Sequence, residues 1–331
     1  MIRSLEIGFA GGMPPALGGG GMELQMQRTA EALGRLGHSV ARVEAAPAGE
    51  CFDVLHAFHA EAWLTHVLPH WKRNRCPLVV SPVLTIRPGL EQRTMRLARH
   101  IPGLHTSARQ RSDVLGTADA IVALTEYERG LLVSDLGAPA ERVCVIANGV
   151  TPIEPGRLPA LPEGVTTKPF ALMLGNVSAR KRQVEVLEAA AGRLPFVVAG
   201  GFEGTEGERL GWLAAVERHE AVWLGEVGDQ LAVRALEAAA TALVLFSAAE
   251  GQSLALLECL AVGTPVVISD IPSHRELAER FPDHVRVVAK AAEIGSQLEL
   301  LRSRRAPPPA AVPTWDDVAR ALEEVYAGVV G

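Results

Sequence analysis

The chain has 331 residues, 48% of them hydrophobic and 21% charged, with a formal net charge of −6. This is the composition of a globular protein with a real core, long enough for about two domains on a prior of ~150 residues each. Residues 1–150 carry 15 Lys+Arg against 14 Asp+Glu, and the remainder 17 against 24, which excludes the strongly basic domain of a typical nucleic-acid binder.

In chain order, MIRSLEIGFAGG opens without the long apolar run of a signal peptide, and SLEIGFA within it is a predicted strand. A glycine loop, Gly18–Gly21, precedes a predicted helix over MELQMQRTAEALGRLG, with Met22, Met26, Ala30 and Leu33 on one face. Backbone amides such as those of Gly19 and Gly20 ahead of a helix suit a phosphate, with a flexible turn as the alternative. No G-x-G-x-x-G or Walker pattern is present, so a dinucleotide or ATP site is unsupported. HSVARVE, FDVLHAF, PLVVSPV, DAIVALT and RVCVIAN follow as predicted strands with helix-length segments between them. Strands alternating with helices imply βαβ units and a parallel sheet covered on both faces.

Within this half, HAEAWLTHVLPHWKRNR sets Trp63, Val67 and Trp71 near one another on a helix ending in Lys72, Arg73 and Arg75. Farther on, Arg87, Arg93, Arg96, Arg99, Arg109 and Arg111 crowd a stretch with few acids. A basic amphipathic helix suits an anionic membrane surface, and arginine clusters also bind phosphorylated acceptors. An aromatic stripe at this spacing equally suits a core.

TPIEPGRLPALPEGVTTKP, rich in Pro and Gly, is a linker candidate (152–168). The alternation then restarts with FALMLGN, QVEVLEAAAGRL, PFVVAGG, ERLGWLAAVERH, AVWLGEV, QLAVRALEAAA, TALVLFS, SLALLECLAVG and PVVISD. RRAPPPAAVP breaks the chain before a last helix from Thr314 to about Gly328. The expected domains are 1–151, 169–312 and a terminal segment 313–331. The four cysteines, Cys51, Cys76, Cys144 and Cys259, have no C-x-x-C pairing and no His in ligand spacing. They are expected to be reduced thiols.

Glu250 and Glu258 stand out in a small, apolar segment, because an unpaired buried charge is costly. Glu250 falls in the loop after a predicted strand, where open α/β sheets bind ligands. Gly251 there permits close approach of a ligand or a positive φ. The amides of Gln252, Ser253 and Leu254 begin a helix of roughly three turns and suit an anion. Glu258, two turns on, is expected on the same side as Glu250, so that both carboxylates accept from hydroxyls.

EGQSLALLECLAVGTPVVISDIPSHREL, with Glu, seven residues, then Glu, resembles the signature of the retaining glycosyltransferases of the group 1 (family four) class. GGGGMELQMQRTAEALGRLGHSV, ADAIVALTEYERGLL with RVCVIANGV, LMLGNVSARKRQVEVLEA, VWLGEV and TWDDVARALEEVY are similar to further segments of that family, in the same order.

The resemblance implies the GT-B fold: α/β, two doubly wound Rossmann-like domains facing a central cleft, with the terminal helix crossing back to the first. It implies transfer of a hexose from a nucleoside-diphosphate sugar to an acceptor hydroxyl, with retention and without a metal or other cofactor. Glu258 would bind ribose hydroxyls and Glu250 the sugar's. Arg180 and Lys181 would neutralise the departing diphosphate, the helix amides and Val227 would complete the donor site, and His56 would touch the transferred sugar or acceptor, with His59 less closely matched. Asn176 stands where many relatives carry a basic residue, which moves the burden to Arg180. A non-catalytic nucleotide-sugar-binding partner of another transferase and a sugar-nucleotide epimerase are the alternatives. The expected location is the cytoplasm, with weak peripheral contact at the inner face of the membrane through the first domain; acceptor and oligomer are left open.

Overall fold

A computed structural model describes residues 3–11, 20–43, 51–60, 64, 76–98, 106–153, 158–165, 169–190, 192–302, 307–309 and 311–331. The chain divides into two compact units, Met1–Gly149 with Pro313–Gly331, and Val150–Val312.

The first unit contains β1 (Glu6–Ala10), α1 (Gly21–Arg35), β2 (Ser39–Arg42), β3 (Val54–Phe58), β4 (Leu78–Ser81), α2 (Leu90–Ala98), α3 (Ser107–Thr117), β5 (Ala120–Ala123), α4 (Glu126–Ser134) and β6 (Val143–Val145). Its six strands run in the order β2-β1-β3-β4-β5-β6, and every pairing is parallel. VLHAF, LVVS and AIVA are buried along their whole length, as expected for parallel strands covered on both faces.

The second unit contains β7 (Ala171–Leu174), α5 (Gln183–Ala190), β8 (Phe196–Ala199), α6 (Glu206–Arg218), β9 (Val222–Trp223), α7 (Gln230–Ala239), β10 (Ala242–Leu245), α8 (Leu254–Ala261), β11 (Val266–Ser269), α9 (Pro272–Arg280), β12 (Val285–Val288) and α10 (Ile294–Leu301). Its order, β12-β11-β10-β7-β8-β9, is also parallel throughout. Counted within the unit this is 3-2-1-4-5-6, the doubly wound Rossmann order, whose direction reverses between β7 and β10. Buried apolar clusters centred on Leu172, Leu243 and Leu257 and on Met173, Val198 and Trp212 cover the sheet.

The last helix, α11 (Trp315–Val330), belongs to the first unit and packs on α1. Thr314 caps it through its hydroxyl, and Asp317 completes the capping box. Gly149 makes this docking possible, since a Cβ there would stand 2.5 Å from the Trp315 amide nitrogen.

Several local expectations are corrected. The buried stripe of α1 runs through Gln25, Met26, Thr29, Ala32 and Leu33; Met22 and Ala30 are only half-buried. α8 spans eight residues, little more than two turns. α9, β12 and α10 were not delineated from the sequence. Part of the proposed linker belongs to the second unit: Val165 is buried, and Leu161 packs on its core.

Glu128, in the first turn of α4, is fully enclosed and ties two loops together. Its Oε1 accepts from the Leu84 amide and its Oε2 from the Leu124 amide, both at 2.7 Å. Burial pushes its pKa up to about 7, although the two amides pull the other way. Glu128→Ala is expected to cost at least about 2 kcal/mol, because two buried amides lose their acceptor. Since the folded pKa exceeds the unfolded one, the native state binds the extra proton, and this contribution is lost as pH rises through about 7. Thermal unfolding should therefore show a larger deficit in the variant at pH 5 than at pH 8.

Candidate functional site

The carboxyl ends of β7 and β10 flank the point where the strand order reverses, the place where doubly wound sheets bind ligands. The loop after β7 carries Arg180 and Lys181, and the loop after β10 carries Glu250. The fold brings all three together: Glu250 Oε1 accepts from Arg180 Nη1 at 2.9 Å and from the Ser247 hydroxyl at 2.7 Å, with Lys181 Nζ at 3.5 Å.

The arrangement is braced from the backbone. Arg180 Nη1 also donates to the Ala249 carbonyl, the Ala248 amide donates to the Arg180 carbonyl, and the Ser273 hydroxyl on α9 donates to the Glu250 carbonyl. Gly175, at φ +105°, directly follows β7, and a Cβ there would come within 2.8 Å of Lys181 Nζ. The ammonium thus lies in space that a side chain at 175 would fill.

Burial pushes the Glu250 carboxyl up, but the charges of Lys181 and Arg180 and the Ser247 hydroxyl more than offset it, so its pKa lies below the ordinary carboxylate value. Glu250 stays ionised, and Lys181 and Arg180 leave one cationic charge in excess beside it. Arg180 keeps 34% of its side chain exposed and Lys181 12%. The cluster therefore presents positive charge to whatever enters.

Glu258 pairs elsewhere. It lies on α8 with Oε1 3.5 Å from Arg234 Nη1 on α7. The two acids therefore meet different cations: Glu250, in the loop after β10, meets Arg180 and Lys181, and Glu258, on α8, meets Arg234 of α7. Gly251 is not among the glycines of positive φ. Gln252 and Ser253 lead into α8, Ser253 being its N-cap without a side-chain bond. Leu254 begins the helix, and Val227 lies half-buried after β9 against the second unit's core.

His56 is also corrected. It is 0% exposed, its Nδ1 shares a hydrogen bond with Tyr326 Oη at 2.6 Å, and its Nε2 shares one with Ser81 Oγ at 2.8 Å. Its ring stacks on Phe58, and burial drops its pKa to about 3. This is a neutral core histidine joining β3, β4 and α11, with neither ring nitrogen left for a ligand. His59 follows the same strand, half-buried, with φ 68°, an uncommon backbone region for a residue with a Cβ.

At the first helix, the Gly20 amide donates to Glu23 Oε2 at 2.7 Å, so the bare amide expected for a phosphate is already occupied by a carboxylate. Gly18 and Gly19 lie outside the described residues, as do Trp63, Val67, Trp71, Lys72, Arg73, Arg75 and Arg99. On α2, which buries no side chain, Leu90 and Leu97 are exposed beside Arg93 and Arg96. No helix among the described residues is long and apolar enough to cross a membrane. Among the described residues the four cysteines form no disulfide.

Sequence reasoning missed Arg234, Glu237 and His274. Arg234 and Glu237 are charges in an otherwise apolar helix, the same signal that drew attention to Glu250 and Glu258. His274 on α9 is buried, donates or accepts through Nδ1 at Ser269, and has its pKa lowered to about 4 mainly by burial. It lies within electrostatic reach of Glu250 and Lys181.

Residues 162–300 match a family model described as glycosyl transferases group 1, and residues 40–149 one described as glycosyl transferase 4-like domain. A curated relative, D-inositol 3-phosphate glycosyltransferase of Thermobifida fusca (strain YX), is 28% identical over 270 residues, 71% of this chain. The chain spans 57% of that relative's length. Among solved structures, HepE of Anabaena in complex with UDP-glucose superposes with a TM-score of 0.65 at 15% identity, over 98% of both chains. Sucrose-phosphate synthase from Thermosynechococcus elongatus does so at 0.62 and 16% identity, over 99% of both. These likenesses show the fold, two Rossmann-like α/β domains of the GT-B type.

Proposed function

We propose that this chain, which belongs to the group 1 glycosyltransferases, moves a hexose from a nucleoside-diphosphate sugar to an acceptor hydroxyl with retention at the anomeric carbon. The observation that carries this reading is the joining of Arg180, Lys181 and Glu250 at the strand-order reversal of the second sheet. The diphosphate would lie against Arg180, Lys181 and the amides that open α8. Its leaving oxygen gains negative charge as the glycosidic bond breaks, and fixed positive charge placed in advance stabilises that change most. These groups would supply the electrostatic work that a metal performs in other transferases. Glu250 orients the two cations and offers its second carboxylate oxygen to a sugar hydroxyl. Glu258 accepts from the ribose hydroxyls, as an ionised carboxylate is acceptor-only.

A thermal-shift panel of UDP-, GDP- and ADP-sugars tests the donor site. A ligand at 100 times its Kd stabilises by about 2.7 kcal/mol, so the matching donor should raise the melting temperature by several degrees. No shift with any member would overturn the donor assignment. Turnover of that donor with a mixed acceptor pool then separates a transferase from a non-catalytic binder, and turnover without acceptor would identify an epimerase.

A further inference from the structure

Arg234 and Glu237 lie one turn apart on α7, and both are buried. Arg234 Nη1 donates to Glu237 Oε2 at 2.8 Å and faces Glu258 Oε1 at 3.5 Å; its Nη2 donates to the Thr151 carbonyl at 2.7 Å. One guanidinium therefore serves two carboxylates. The side chain of Glu258 keeps 16% exposure and that of Glu237 none, so only Glu258 can meet a ligand.

Among the described residues, few charged or titratable groups face Glu237. Arg234 lies on its own helix, and Glu258 and Cys259 lie on α8. The Thr264 hydroxyl donates to its main-chain carbonyl. Among the described residues no N–H or O–H donor reaches Glu237 Oε1. Both carboxyl groups face the same guanidinium, so one proton held on the pair leaves a single anion beside a single cation. Burial first, then the charge of Glu258, raises the pKa of Glu237, with Arg234 opposing. Burial thus favours the protonated form of Glu237, the enclosed member of the pair.

We propose that Glu237 is a positioning residue for the nucleotide-sugar donor: enclosed behind Glu258 and bonded to the same guanidinium, it fixes the carboxylate that receives the ribose hydroxyls. With the shared proton on Glu237, Glu258 remains an oriented anion. Loss of that proton would leave two anions sharing one cation, and Glu258 would turn away. This inference rests on the donor reading above.

The test uses the full chain and isothermal titration with UDP-, GDP- and ADP-glucose, followed by the 2′-deoxyribose form of whichever binds. Wild type should prefer the ribose form, and Glu258→Ala should erase that preference. If no probe binds, or Glu258→Ala keeps the preference, the donor reading fails and takes this inference with it.

Given a preference that depends on Glu258, Glu237→Leu should reduce it about tenfold, the loss of one charge-assisted hydrogen bond, while affinity for the deoxy form stays within about twofold, well under 1.4 kcal/mol. Glu237→Gln, which mimics the protonated acid, should retain the preference at pH 7 and hold it at pH 9, where wild type declines. Equal losses for both ligands in Glu237→Leu would mark a merely structural role and overturn the proposal. Identical pH profiles for wild type and Glu237→Gln would overturn it too, even if Glu237→Leu did not fold.

Discussion

Lys181→Ala is expected to lower kcat by about 10²–10³-fold, the effect of removing one preorganised donor from a developing oxyanion. The expectation depends on how firmly the ammonium is held. It lies over Gly175, where no side chain intrudes, and 3.5 Å from Glu250 Oε1. It is mostly withdrawn from water, where an electrostatic interaction counts for more than on an open surface. Because the charge is needed more as the leaving group departs than when the donor binds, kcat should fall further than donor KM rises. Arg180→Ala should act in the same direction but less strongly, since its side chain is more exposed and divides its bonds between Glu250 and the Ala249 carbonyl. Steady-state kinetics with the donor from the thermal-shift panel decides it. A loss of less than about tenfold for Lys181→Ala would remove this residue from the leaving-group site.

Arg234→Met should destabilise the second unit by about 3–5 kcal/mol, the cost of stripping the counter-ion from a buried charge. Arg234 faces Glu237 at 2.8 Å and Glu258 at 3.5 Å, and its removal also orphans the Thr151 carbonyl. The sign of the pH dependence follows from linkage. Without the guanidinium, the folded-state pKa of Glu237 rises further above its unfolded value, so the native state binds a proton that the unfolded chain releases. Stability is then retained at low pH and lost as pH rises through the folded pKa. The variant's deficit, read by urea denaturation, should be smaller at pH 7 than at pH 9, the range in which wild-type Glu237 gives up its proton and the variant's does not. The double variant Arg234→Met/Glu237→Leu should recover much of the loss, since an apolar replacement of similar volume removes the buried carboxyl group that the lost guanidinium had served. A double variant no more stable than the single one would show that the buried carboxyl group of Glu237 is not what Arg234 satisfies.

Much of the fold was legible because parallel strands buried on both faces leave short apolar runs such as FALMLGN, TALVLFS and PVVISD, and helices between them leave a different period. Arg180, Lys181 and Glu250 were legible for a related reason: each follows such a strand, and strand ends converge at the edge where α/β sheets bind ligands. The histidine in VLHAF misled because a strand alternates its faces every residue. Nothing local says whether the face carrying His56 will be covered, and it is covered by Tyr326 of the last helix. The amide of Gly20 misled in the opposite way, since a capping carboxylate stands three residues on in the sequence, Glu23, and competes with any anion.

The sequence by itself determined two tandem parallel α/β units and the chemical kinds of residue at the ends of their strands, because hydrophobic period and motif spacing are properties of neighbouring residues. Only the tertiary structure decided which acid met which cation. Arg180 and Glu250 are 70 positions apart and Arg234 and Glu258 lie on different helices, so no local pattern records either pairing. That choice matters chemically, since a buried carboxylate's charge and direction are set by the particular groups packed against it.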